Sequence, residues 1–461
     1  QAMPPAAASA DGDGAPLAAA IDWALALDPA ARPQTVEEWR EALAGRAPRP
    51  GPAAGVEEPD DGAPTVRVRR VTTRRLVGRA DAAVEAPPPR RRRIGKVLLA
   101  ALLLGSVAAV TVASAVALRP LYERYLKTDW VVDAAGGGDA RTIGEALRRA
   151  GDDARLSIRP GTYPETVVIE RPVHLAAALE DQPPVIAPPD GPCLVSTATG
   201  GSVIGLHMRG GASGAGGAEP EGCLVIAGGD LRVEDSEVSA AAGPAVQVRG
   251  GSEPELRGNV ISSATAAAAI INEGAGGVLA ENRISDVEGS SLIVRSGATP
   301  EIRDNRIENS GPAIFAEGAG GSFTRNQVLN SRASAIEISS GADPLLVDNV
   351  IEGAKQAAIF VYDQGRGRIE GNSLRRSGLS GVILADGAAA RIAGNTIEAS
   401  GEHGVLVLEG SRGVIERNTI TGNAGHGIAI APDAEAELVE NQLGGNSDPQ
   451  LLDARAKESS P

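Results

Sequence analysis

Apolar residues in the last two-thirds of this chain recur at a fixed interval. Asparagines mark the period: Asn259, Asn282, Asn305, Asn326, Asn349, Asn372, Asn395, Asn418 and Asn441. Every step is 23 residues except Asn305 to Asn326, which is 21. Two residues after each stands an aliphatic side chain: Ile261, Ile284, Ile307, Val328, Ile351, Leu374, Ile397, Ile420 and Leu443. A second short segment follows in each unit, for example Ala335-Ile336-Glu337-Ile338, Gly404-Val405-Leu406-Val407 and Gly427-Ile428-Ala429-Ile430. Its second and fourth positions are aliphatic, the period-two signature of a strand with one buried side. Units so rich in Gly, Asn and β-branched residues do not suit a helical repeat. Such a unit can close one turn of a coil with three short strands, and successive coils then pair in parallel about 4.8 Å apart. Asn tolerates the left-handed conformation a bend needs, and stacked amides can bond to one another up the ladder. The nine asparagines are therefore expected to hold structure, not to catalyse. The predicted fold is all-β, a right-handed single-stranded parallel β-helix over 128–452, with a disordered tail at 453–461.

The start of the coil has a different pattern. Ala140 to Ala150 places Ile143, Ala146 and Leu147 on one face of a short helix. The strand Arg155–Ile158 follows, then Pro160-Gly161-Thr162-Tyr163-Pro164-Glu165 and Val167-Val168-Ile169. A solenoid needs its open apolar end covered, and this helix is the expected cap.

Composition agrees with thin, repetitive layers. The 461 residues include 58 Gly but only three Phe, four Tyr and three Trp. Two cysteines, Cys193 and Cys223, exclude a disulfide-dense scaffold or a four-cysteine zinc site. They occupy similar phases, so adjacent coils would bring them within disulfide reach, with two stacked free thiols as the alternative.

Before the coil, the pattern changes again. Residues 1–16 are expected to be disordered. Residues 17–44 predict two helices, the second opened by the Thr35/Glu38 capping box. Residues 45–96 form a Pro/Arg-rich disordered linker. Between Pro64 and Lys96 eleven basic residues face only Asp81 and Glu85, although the whole chain carries −15. Val97–Leu118 is a 22-residue stretch without a charge, long enough to cross a bilayer core of about 30 Å as a helix. Arg90 to Arg93 and Lys96 flank it and should remain cytoplasmic. The expected topology is a single pass through the inner membrane, with the N-terminus inside and the coil in the periplasm. The chain opens on Gln1, which predicts a piece of a longer reading frame.

Two segments resemble known families. Ala20-Ile21-Asp22-Trp23-Ala24-Leu25, Asp28-Pro29-Ala30-Ala31-Arg32-Pro33-Gln34 and Glu38-Trp39-Arg40 are similar to the last helices of bacterial Ser/Thr kinase domains. The chain itself has no Asp-Phe-Gly, no His-Arg-Asp and no Gly-rich loop, so any kinase domain would lie upstream. Asp133–Gly138, Thr142-Ile143 with Ala146-Leu147, and Pro160-Gly161-Thr162-Tyr163 with Glu165 look like the start of pectin-lyase-like β-helices. The later units resemble NosD-type and carbohydrate-binding/sugar-hydrolase (CASH) repeats. That superfamily spans lyases, hydrolases, epimerases, esterases and binders, so the resemblance implies fold more than activity.

No familiar catalytic set appears. Of the polygalacturonase signatures only Gly425-His426-Gly427 is present, and the repeat explains it. Asp60-Asp61 and Asp152-Asp153 stand outside the coil's regular units. His403 and His426, 23 residues apart, should stack on neighbouring coils, with Glu402 beside the first; these three are the candidate binding residues. No metal, cofactor or nucleic-acid partner is expected. For sugar stacking, only Tyr163, Tyr362 and Trp130 are considered. The leading expectation is a binding or sensory ectodomain of a receptor-like Ser/Thr kinase, contacting a glycan or other envelope ligand, with the kinase in cis. The alternatives are a surface polysaccharide-modifying enzyme and a structural or adhesive solenoid.

Overall fold

The computed structural model describes residues 122–123, 126–211, 221–263, 266–447 and 449–455. The expected disordered start, kinase-like helices, linker, apolar Val97–Leu118 segment and most of the tail lie outside them. No described helix is long and apolar enough to cross a membrane.

The described chain is a parallel β-solenoid of about 14 turns. Each turn contributes one strand to each of three sheets, one of 14 strands and two of 13. We call them A, B and C in the order the chain visits them. Every neighbouring pair is parallel and links one coil to the next, from Asp129–Val132 to Leu451–Asp453. In the middle of the coil the repeat appears directly as register: Ile261 faces Ile284, which faces Ile307, which faces Val328. These aliphatics are at most 1% exposed. Each buried side chain of this size contributes roughly 1.5–3 kcal/mol, and the coils stack them as continuous columns.

The asparagines line the corner between sheets A and B. The ladder members from Asn259 to Asn418 are each at most 1% exposed. Asn349 shows the pattern. Its Oδ1 accepts from the backbone N–H (2.9 Å) and the side-chain amide (3.1 Å) of Asn326. Its own Nδ2 donates to Phe323 O and to Asn372 Oδ1, at 2.8 and 2.9 Å. Ser236 fills the place before Asn259, giving its N–H to that asparagine's Oδ1 at 3.0 Å. The left-handed bend, however, belongs to the residue before each asparagine, not to the asparagine. Gly258, Glu281, Asp304, Arg325, Asp348, Gly371, Gly394, Arg417 and Glu440 all have φ between 53° and 66°. The asparagine must keep its own N–H pointing along the axis to reach the next amide, so its neighbour takes the strain.

The first coil is capped by α1, Ile143–Arg149, which turns Ile143, Ala146 and Leu147 inward. Thr142 Oγ accepts from Glu145 N–H at 3.0 Å. The Glu165 carboxylate accepts from Ile143 and Gly144 N–H at 2.7 and 2.9 Å. Glu165 thus ties the helix N-terminus to the second coil, a stabilising charge at the positive end of the dipole. Cys193 and Cys223 lie in register on neighbouring coils and are joined as a disulfide, with Cα atoms 4.8 Å apart.

Candidate functional site

Inward and outward residues alternate along sheet C, and its outward face differs from the other two. On sheet A the outward positions are largely charged and paired, as in Arg232–Glu255 at 2.9 Å and Arg391–Glu370. On sheet C one outward column runs Gln247, Ile270, Ile293, Phe315, Glu337, Phe360, Ile383 and Leu406, each in register with the next. From Ile270 to Leu406 these side chains are half-buried. A contiguous outward apolar strip of this kind marks an interaction surface. Glu337 interrupts it, with Phe315 in register on one side and Phe360 on the other.

A second column borders the first where each sheet C strand ends. In its centre stand Arg249, Asn272, Arg295, Glu317, Ser339 and Tyr362. Tyr362 leans back over the strand. Its ring stacks on Phe360 with centroids 4.5 Å apart and planes 22° from parallel. Its phenol comes close to the Glu337 carboxyl and Ser339. Burial pushes the Glu337 carboxyl above its usual range, against the lowering effect of the neighbouring Tyr362 phenol. Burial, then the neighbouring Glu337 charge, pushes the Tyr362 phenol up as well. The phenol therefore stays protonated, with a proton available to donate. A carboxyl held towards its protonated form beside two stacked rings is suited to general-acid work on a sugar.

Glu317 is the second carboxylate within reach. It is in register with Ser339, two residues along and one coil back from Glu337. Strand spacing puts their Cα atoms about 8 Å apart on the diagonal. That leaves room between two carboxyl groups for a water or a glycosidic oxygen.

The sequence-based candidates fall elsewhere. The His403 and His426 rings stack at 5.3 Å, 6° from parallel. His403 Nδ1 accepts the His426 backbone N–H at 3.0 Å, and His426 Nδ1 lies 2.6 Å from Pro449 O. His403 N–H in turn donates to Ser380 Oγ at 3.3 Å. Both Nδ1 atoms are thus committed to holding the corner that leads into sheet C. Burial first, then His426, lowers the His403 pKa, and Glu402 opposes the shift. Glu402 is exposed beside the stack. Three coils, about 14 Å along the axis, separate His403 from Glu337. Among the described residues no group of three His, Cys, Asp or Glu side chains is arranged to hold a metal.

The aromatic expectation needs correction. Trp130 and Tyr163 are each 1% exposed and belong to the core under α1; the Tyr163 phenol donates to Arg159 O at 2.9 Å. On sheet C the aromatics that face outward are Phe315, Phe360 and Tyr362. The signal for them was available in the alternation. With Ile336 and Ile338 inward, the position between them points out, and Phe315 and Phe360 hold that same position.

Comparison with known proteins agrees on the architecture. A profile described as "Right handed beta helix region" matches residues 217–343 and 312–454, together more than half of the chain. No curated protein matches the sequence significantly. Among solved structures, the catalytic unit of a thermostable GH87 α-1,3-glucanase from Streptomyces thermodiastaticus strain HF3-3 superposes with a TM-score of 0.52. It is 15% identical and the match covers 69% of this chain and 68% of that one. A GH87 α-1,3-glucanase catalytic domain solved with tetrasaccharides gives 0.53 at 13% identity, covering 71% and 69%. At such identities the likeness is one of fold. It nevertheless overturns the expectation of a sensory receptor-kinase ectodomain: the similar chains are glucanase catalytic domains, and the carbohydrate-active alternative is the better supported one. The kinase-like and apolar segments on which that expectation stood lie outside the described residues. This chain, from its asparagine corner to its three parallel sheets, belongs to the right-handed β-helix family.

Proposed function

We propose that this protein is a carbohydrate-active enzyme that cleaves a glycan laid along the outer face of sheet C. The observation that carries the reading is Glu337: a half-buried carboxyl beside the Tyr362 phenol, set between the outward rings of Phe315 and Phe360. In this reading Phe360 and Tyr362 form the platform on which a sugar ring stacks. Glu337 gives its proton to the glycosidic oxygen. Glu317 draws a proton from the attacking water, completing the pair that glycoside hydrolysis requires. Tyr362 holds the Glu337 carboxyl in place and supplies a hydrogen bond to it as the proton leaves. The solved relatives in fold are α-1,3-glucanase catalytic domains, which supports a glycan substrate.

The outside location expected from the Arg-flanked apolar segment is kept as part of the proposal. The Cys193–Cys223 disulfide supports it, since such bonds persist in oxidising compartments. His403, His426 and Glu402 remain candidate contacts for a longer glycan at the far end of the same face.

The test is reducing-end release from a panel of polysaccharides by the purified chain. Release by the wild type that Glu337→Gln lowers by roughly a hundredfold or more, with glycan binding retained, is the expected outcome. Undiminished turnover in Glu337→Gln would remove Glu337 from the chemistry.

A further inference from the structure

Two buried amide side chains at the N-terminal end of the same face have oxygens without partners. Gln247 and Asn272 are each 7% exposed. Gln247 Oε1 and Asn272 Oδ1 have no hydrogen-bond partner. Buried side-chain oxygens in a folded protein are normally satisfied, and leaving one bare costs stability. Six other buried side-chain atoms also lack a partner, four of them serine hydroxyls, but among the described residues these two are the bare amide oxygens; every ladder asparagine described above accepts from its neighbour. Both bare amides line one groove of about 910 Å³, together with Arg249, Arg295, Glu273 and Glu317. Glu317 is also the carboxylate assigned to the cleavage site. The groove and the cleavage site are therefore continuous.

We propose that this groove is a remote saccharide subsite, in which Gln247 and Asn272 accept hydrogen bonds from sugar hydroxyls. The proposal rests on the reading of Glu337 as the centre of a glycan site. Terminal amide torsions are soft, so a small rotation turns either oxygen towards a ligand. Sugar hydroxyls are donors, and a bare acceptor is the complement they need. The groove is lined by Glu221, Glu273 and Glu317 against Arg249 and Arg295, with Arg249 and Glu221 already paired at 3.5 Å. This surplus of carboxylates favours a neutral, hydroxyl-rich glycan over a uronate.

The placement has a kinetic consequence. Gln247 and Glu337 stand on the same column, four coils apart, which is about 19 Å. Only a chain of several sugar rings reaches both. Binding energy gathered at Gln247 then acts on a bond broken far away, so short substrates lose it. The enzyme reads chain length through this groove and cuts within chains.

Full-length protein carrying Glu337→Gln, compared with the same protein also carrying Gln247→Met and Asn272→Leu, tests this by calorimetry. The probes are neutral glucan disaccharides and hexasaccharides, with hexagalacturonate as the charged control. Hexasaccharide binding roughly tenfold weaker in the triple variant, with disaccharide binding unchanged, is expected. Because the two oxygens are bare, the triple variant should unfold at the same or a higher temperature than its parent, which a structural role would not allow. Unchanged hexasaccharide binding, or tighter binding of hexagalacturonate than of every neutral hexasaccharide, overturns the subsite while leaving the Glu337 site standing. Failure of every probe to bind the parent protein overturns the glycan reading itself.

Discussion

Replacing Asn349 by Ala removes one rung from the middle of the corner ladder, and its cost can be worked from the bonds. Four side-chain bonds disappear, two accepted and two donated. Not all of their partners are orphaned. Asn326 Nδ2 keeps Ile302 O at 2.9 Å, and Asn372 Oδ1 keeps the N–H of residue 349. The Asn326 backbone N–H and Phe323 O lose the bonds named here, deep inside a corner where Asn326 is 1% exposed. A buried group left unpaired costs about 1–3 kcal/mol, so the variant should lose about 4 kcal/mol, with an uncertainty of about 2. Solenoid coils open locally as well as globally, so the assay should read position as well as total. Hydrogen exchange by mass spectrometry fits. The amide of Asn326 should exchange roughly tenfold to a hundredfold faster in Asn349→Ala, while amides several coils away change less. The urea midpoint should fall in parallel. At the half-buried end of the ladder, Asn441→Ala should cost less, because water reaches the groups it exposes. Exchange at Asn326 and a urea midpoint both unchanged in Asn349→Ala would refute the claim that the ladder holds the corner.

Other perturbations have signs fixed by the structure. Cys193→Ser with Cys223→Ser opens a crosslink spanning 30 residues and should cost about 3–4 kcal/mol in thermal unfolding; reducing the wild type should reproduce the loss. Burial raises the Glu337 carboxyl in the folded state, so its stabilising contribution is present below its unfolded value and is lost as pH rises through the folded value. Glu337→Gln should therefore be the more stable protein at neutral pH, and a variant less stable there than wild type would contradict the burial argument. His403 is shifted the other way, below its ordinary 6.5. Its contribution is intact above that pH and is lost as pH falls through the folded value, when a proton on Nδ1 displaces the His426 N–H. His403→Asn should flatten the acid limb of a melting-temperature profile, and an unchanged limb would place the acid sensitivity elsewhere.

The solenoid was legible because its determinants are periodic. Asn259 through Asn441, each with an aliphatic two residues on, fix corner and core together, and the three-sheet register follows from that spacing. The handling of backbone strain was not legible. Sequence reasoning gave the left-handed bend to asparagine on propensity, whereas Glu281, Arg325, Arg417 and Glu440 take it. Propensity yields there to the hydrogen bond that each asparagine must make. The candidate site was missed for a related reason. Phe is commonly a core residue, and only their phase between inward positions marks Phe315 and Phe360 as outward. Tyr362, 25 residues later, folds back across one coil to stand beside Glu337, and no local pattern announces that. Gln247 and Asn272 look like ordinary turn and strand residues until burial shows what they lack.

The central claim is that Glu337 acts as the proton donor of a glycan-cleaving site. The most direct measurement is the pH dependence of kcat/KM for the purified chain on a polysaccharide it cleaves. The account predicts an alkaline limb set by Glu337, at a pH above that of an ordinary carboxyl, which moves to lower pH in Phe360→Ala, where water reaches the carboxyl, and vanishes with activity in Glu337→Gln. A limb that persists unchanged at full activity in Glu337→Gln would contradict it.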